Sequence, residues 1–155
     1  MQKFTESQRM IDSTFNKIIV LLVAILLGKT IYTAVTGDFS YVHLFSITIL
    51  TIAIVIFIVF QVHTTISKDQ IEVTISPFSI YKKVINWKEV KKIEVVKYSA
   101  IREYGGWGYR RNSQGNAINP SGDKGIKIHF KNGKHLLVGT RKPDEAQTFL
   151  KSIGK

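Results

Sequence analysis

Gly106-Trp-Gly108 opens like a dinucleotide-binding fingerprint, in which closely spaced glycines let the backbone approach a pyrophosphate. That chemistry also needs a helix opening at a third glycine and an acidic residue about twenty positions further on. Here Arg110-Arg-Asn-Ser follows, then Gly115 and Pro120, without helical periodicity. The phosphate loop of nucleotide hydrolases is absent as well, since Gly28-Lys29-Thr30 has Val23 where that motif places its first glycine. His43, His63, His129 and His135 raise a metal question. A metal site of the zinc type needs three or four converging donors, and no acidic partner stands at ligand spacing, so these read as ordinary histidines. His129 and His135 flank a turn and become neighbours only in one register. Serines and threonines are plentiful, but nothing sets a nucleophile, a base and an orienting acid together. Glu72, Glu89, Glu94 and Glu103 do not suggest a glycosidase acid pair. The chain reads as a non-enzyme, with no cofactor and no metal.

The phrase around those glycines, Tyr104-Gly-Gly-Trp-Gly-Tyr-Arg-Arg-Asn112, supports two further readings. Glycines within a strand pattern mark a bulge, a bend or a close backbone approach, with Trp107 and Tyr109 packed on one face. Alternatively, Trp107, Tyr109, Arg110 and Arg111 form a contact surface for a partner. Arg110 and Arg111, joined by Lys82, Lys83, Lys88, Lys91 and Lys92, would make a basic rim attractive to anionic lipid head groups.

The elements that carry these residues follow from charge and periodicity. Residues 1–17 hold three basic against two acidic side chains, a net +1. Residues 18–61 hold Lys29 against Asp38, while residues 62–155 hold eighteen basic against eight acidic, a net +10. No cysteine occurs, which removes disulfides, thiolate nucleophiles and Cys-ligated zinc. Tyr41–Val62 is 22 residues without Asp, Glu, Lys or Arg. As a helix it would be about 33 Å long, enough for a hydrocarbon core of about 30 Å. Ile18–Val35 is a second apolar run, interrupted by Gly28-Lys29, whose lysine can snorkel to an interface.

These runs predict a transmembrane hairpin: a cytoplasmic head at 1–17, spans at 18–35 and 41–62, and a short external turn at 36–40. The distribution of lysine and arginine puts both termini in the cytoplasm, in a multi-pass protein of the inner membrane. Phe4, Ile11 and Phe15 suggest a head lying along the surface. Oligomerised hairpins carrying a flux past Lys29 form a further reading.

After Gln61 the period changes to two. Gln70–Ser76, Ser79–Ile85, Trp87–Tyr98, Gly125–Phe130 and Lys134–Thr140 read as consecutive antiparallel strands, with a tight turn at Lys131-Asn-Gly133. Pro143-Asp-Glu145 starts a helix whose Ala146, Phe149, Leu150 and Ile153 share one face.

Residues 63–155, with the preceding hairpin, resemble bacterial pleckstrin-homology-like (PH-like) domains attached to membrane helices. The resemblance rests on Ile85-Asn-Trp-Lys-Glu-Val-Lys-Lys92, Tyr104-Gly-Gly-Trp-Gly-Tyr-Arg110 and Gly139-Thr-Arg-Lys-Pro143. It implies an α+β, mainly β, fold: a curled antiparallel barrel with a C-terminal capping helix. It transfers no catalytic residues. The functional expectation is a membrane-anchored module that presents its basic domain to a protein or peptide partner. Anionic head-group recognition is the alternative. Membrane lipids would be met through the two spans, and no nucleic-acid recognition motif accompanies the charge.

Overall fold

The computed structural model describes residues 3–9, 13–37, 40–77 and 81–155, apart from the side chains of 13–17, 19–20, 53 and 56–58. In chain order the strands are β1 (Phe4–Arg9), β2 (Gln61–Ile66), β3 (Gln70–Ser76), β4 (Tyr81–Asn86), β5 (Val90–Lys97), β6 (Gly108–Arg111), β7 (Gly115–Asn119), β8 (Lys124–Phe130) and β9 (His135–Gly139). The helices are α1 (Ser13–Thr36), α2 (Tyr41–Val59), α3 (Ala100–Tyr104) and α4 (Pro143–Ser152). The chain divides into two units, Met1–Met10 with Phe60–Lys155 and, inserted between them in sequence, Ile11–Val59.

In the first unit, alternation builds the sheets. Ile71, Val73 and Ile75 of β3 are buried while Glu72 and Thr74 between them are not, as a period of two requires. Four antiparallel strands form one sheet in the order β1-β2-β3-β4. Five form the other, in the order β5-β8-β9-β7-β6. Both sheets and α4 share one core, to which Ile66, Ile71 and Ile85 come from the first sheet, Ile118, Ile126 and Leu136 from the second, and Ala146 and Leu150 from α4. Each such aliphatic side chain, fully buried, contributes roughly 1.5–3 kcal/mol. Strand β9 is buried throughout: Leu136 and Val138 enter that core, and Leu137 joins a smaller cluster with Tyr98, Ala100 and Ala117. Trp87 begins a single 3-10 turn, and its indole N–H donates to the Ser67 carbonyl at 3.0 Å, tying that turn to the β2–β3 connection.

Several expectations require correction. The head does not lie apart along a surface: Phe4–Arg9 is a strand, paired with β2 from Phe4↔Ile66 to Arg9↔Gln61. Ile11 lies outside the described residues. The expected antiparallel PH-like barrel is replaced by two sheets, and β7 runs parallel to β9. The reason lies in the β7–β8 connection, residues 120–123, which leaves β9 to lie between the two strands it joins. A Cβ at Gly139, at the end of β9, would sit 3.3 Å from Pro120, so glycine leaves room for that connection.

The transmembrane hairpin, its spans at 18–35 and 41–62, and the inner-membrane placement with cytoplasmic termini are corrected as well. Among the described residues no helix is long and apolar enough to cross a membrane. Helix α2 stops at Val59 because Gln61–Ile66 leave it to pair as β2, and its 19 residues make a rod of about 28 Å. In α1 Gly28-Lys29 interrupts the apolar run, and Lys29 is exposed. Hydroxyls within the helices turn back onto the backbone: Thr30 donates to the Leu26 carbonyl and Thr51 to that of Ile47, each at 2.8 Å. The expected turn at 36–40 falls partly outside the described residues.

Candidate functional site

The glycine-rich phrase begins where α3 ends. Ser99 caps that helix: its Oγ accepts from the Arg102 N–H at 3.4 Å, and its own N–H donates to the Glu103 carboxylate at 2.7 Å. These bonds satisfy donors that a helix start leaves open. At the other end Gly105 takes φ of 70° and Gly106 φ of 130°. Their N–H groups donate to the carbonyls of Ile101 and Ala100 at 3.0 and 2.9 Å. Gly108 comes next at φ of 99° and opens β6. L residues with side chains rarely adopt such angles, so the three glycines reverse the chain from a helix into a strand. The dinucleotide reading fails on geometry, because Gly108 leads into strand β6 where that fingerprint requires a helix.

From β7, Asn119 holds this loop by donating its side-chain N–H to the Gly106 carbonyl at 3.3 Å. The Arg110 guanidinium lies beside Gly106, 3.3 Å from where a Cβ would stand. Trp107 and Tyr109 are each 47% exposed, and Arg110 and Arg111 are exposed. The Tyr109 ring packs on Tyr81 of β4, with centroids 5.4 Å apart, and its hydroxyl accepts from the Asn116 side chain at 3.3 Å. Burial raises the Tyr81 hydroxyl above its ordinary pKa, and the neighbouring Tyr109 adds to that rise. Tyr109, Arg110 and Arg111 lie on β6, with Trp107 just before it, at the outer end of the five-stranded sheet, where β6 pairs only with β7 among the described residues. Along the strand Arg110 faces the side opposite to Tyr109 and Arg111.

Of the anticipated rim, Lys83 lines a cavity together with Arg111, and two other lysines are taken up in ion pairs. Lys82 pairs with Glu72 at 2.9 Å and Lys92 with Glu94 at 2.7 Å. Lys83 instead places its ammonium 4.6 Å from the centre of the Phe130 ring.

The histidine question also has a geometric answer. His129 and His135 face each other across the β8–β9 pair, with ring centroids 6.3 Å apart. Their bonds diverge: His129 Nε2 meets Glu94 Oε1 at 3.1 Å, whereas His135 Nε2 meets the Tyr104 hydroxyl at 3.1 Å. Hydrogen bonding from Lys92, with His129 assisting, holds Glu94 below the usual carboxylate range. Burial raises Tyr104, and it pushes the deeper Tyr98 up to about 12. Among the described residues no three His, Cys, Asp or Glu side chains are grouped to hold a metal ion.

Sequence reasoning missed α3, and with it the roles of Tyr104 in binding His135 and of Asn119 in anchoring Gly106. The usable signal was Ser99 followed four residues later by Glu103, a variant of the helix-start box. No family model matches the chain, and no curated protein proves similar to it.

Proposed function

We propose that the sheet unit is a binding module that takes a protein or peptide segment along the β6 edge. The observation that carries this reading is the position of β6, which ends its sheet and is paired on one side only among the described residues. An extended segment adding there gains main-chain hydrogen bonds, while side-chain contacts select which segment is accepted. Trp107 and Tyr109 supply half-exposed aromatic surface of the kind that dominates interface energetics. Arg110 and Arg111 draw acidic residues to the edge. The same charges disfavour pairing with a second copy of β6, since like charges along an edge oppose self-association. The module is therefore selective for an acidic, extended partner.

The test is selection of peptides from a displayed random library with the full chain as bait. Acidic segments of extended character should be enriched. Their affinity should fall about thirtyfold on Trp107→Ala, in line with a hot-spot loss of about 2 kcal/mol, at unchanged melting temperature. Peptides that bind wild type and a Trp107→Ala/Arg110→Ala variant equally would remove the edge from the account. A lowered melting temperature in Trp107→Ala would return that residue to packing.

A further inference from the structure

Lys83 of β4, Arg111 at the end of β6 and Lys134 before β9 converge on a cavity of about 490 Å³ that also receives Glu89. Three cations against one carboxylate leave a net +2. Among the described residues neither Arg111 nor Lys134 forms an ion pair, and Lys83 rests against the Phe130 ring instead of a carboxylate. Among the described residues none of the three charges has an anionic partner, although Glu89 lines the same space.

The walls are held in place before any ligand arrives. Asn112 Oδ1 accepts from the N–H groups of Gln114 and Gly115 at 3.0 and 2.8 Å, and Asn132 Oδ1 accepts from that of Lys134 at 3.1 Å. Both amide side chains line the cavity, and both spend their oxygens on their own turns. Their NH₂ ends are the donors left for a ligand. Among the charged residues that line it, Glu89 is the exception to a positive site.

We infer that this cavity binds a soluble phosphomonoester of a small hydroxylated compound. A phosphomonoester carries roughly −1.5 to −2 at neutral pH and presents three strong acceptor oxygens. That charge matches the cavity's surplus, and the acceptors match its donors. Arg111 can grip two oxygens at once, while the lysines act as point charges. The volume falls within the range of small-molecule sites, roughly 300–1,000 Å³, and exceeds what a bare phosphate fills. Glu89 gives a hydroxyl on the organic part an acceptor. This site is separate in kind from the peptide edge: it takes a small anion, and Arg111 is the one residue both would use.

Calorimetric titration of the full chain with glycerol 3-phosphate tests the inference, with glycerol as the neutral control and phosphatidic acid vesicles as a second source of the same group. Saturable binding of glycerol 3-phosphate is expected, with no heat from glycerol and weakening as salt rises. Lys134→Gln and Arg111→Gln should each reduce the affinity at least tenfold, while Lys151→Gln on α4 leaves it unchanged. Circular dichroism confirms that each variant is folded, and Lys134→Gln lies on an exposed turn, outside the core. No saturable binding, equal loss in Lys151→Gln, or binding confined to vesicles would each overturn the site.

Discussion

Glu6 Oε2 accepts a 2.6 Å hydrogen bond from the Thr140 hydroxyl, joining residues 134 positions apart in the chain. Its other oxygen accepts from the Arg141 N–H at 2.7 Å, and nearby Gln8 donates to the Gly139 carbonyl at 2.6 Å. The first strand thereby latches the segment between β9 and α4. Glu6 is 8% exposed and Thr140 is buried, so removing the carboxylate strands that hydroxyl away from water and leaves the Arg141 N–H without its acceptor. Glu6→Ala should lower stability by about 1–3 kcal/mol in urea unfolding, and Glu6→Gln by less, because an amide keeps one acceptor. Wild-type stability in Glu6→Ala would mean the latch carries no net energy.

A second expectation concerns acid. Burial holds the His135 imidazole below its ordinary value, with Lys127 and His129 pushing the same way. The unfolded chain takes up this proton near pH ~6.5, while the folded chain resists until a lower pH. Stability from this residue is thus complete above that value and is lost as pH falls through it toward the folded pKa. Unfolding free energy measured from pH 8 to 5 should decline along the acid limb, and His135→Gln should flatten it. Tyr104→Phe removes the hydrogen bond to His135 and should cost about 0.5–1.5 kcal/mol at pH 7.

A third concerns the parallel pair. Gly115 lies opposite His135 in the β7–β9 register, and a Cβ there would collide with the His135 carbonyl oxygen. Gly115→Ala must push β7 away from β9 and should destabilise by about 1–3 kcal/mol, the scale of overpacking in a tight interior. Amide exchange should quicken first along β7. Unchanged exchange there would show that the strands can part at no cost.

How much of this was legible differs from element to element. Strands β3 and β8 and the start of α4 could be read from residues 70–76, 125–130 and 143–145, because alternation and a Pro-Asp-Glu start are local signals. Strand β1 could not: its inward residues are Phe4, Glu6 and Gln8, and two of these are polar. Their burial depends on Thr140, Arg141 and Gly139, which sequence proximity does not reveal. At the candidate site, Trp107, Tyr109, Arg110 and Arg111 were recognisable by type. Their place on an edge, and the packing of Tyr109 on Tyr81, depended on which strands lie beside β6 and β4.

By itself the sequence determined the local matters: which stretches alternate, where the basic charge lies, and that three closely spaced glycines must bend the chain between Tyr104 and Arg110. Only the tertiary structure decided that β9 lies between β7 and β8, that β1 closes onto the far end of the chain, and that Lys83, Arg111 and Lys134 line one cavity. The physical reason is range. Backbone preference and periodicity act over a few residues, whereas strand order and convergent charge arise from packing choices among segments from tens to more than a hundred residues apart.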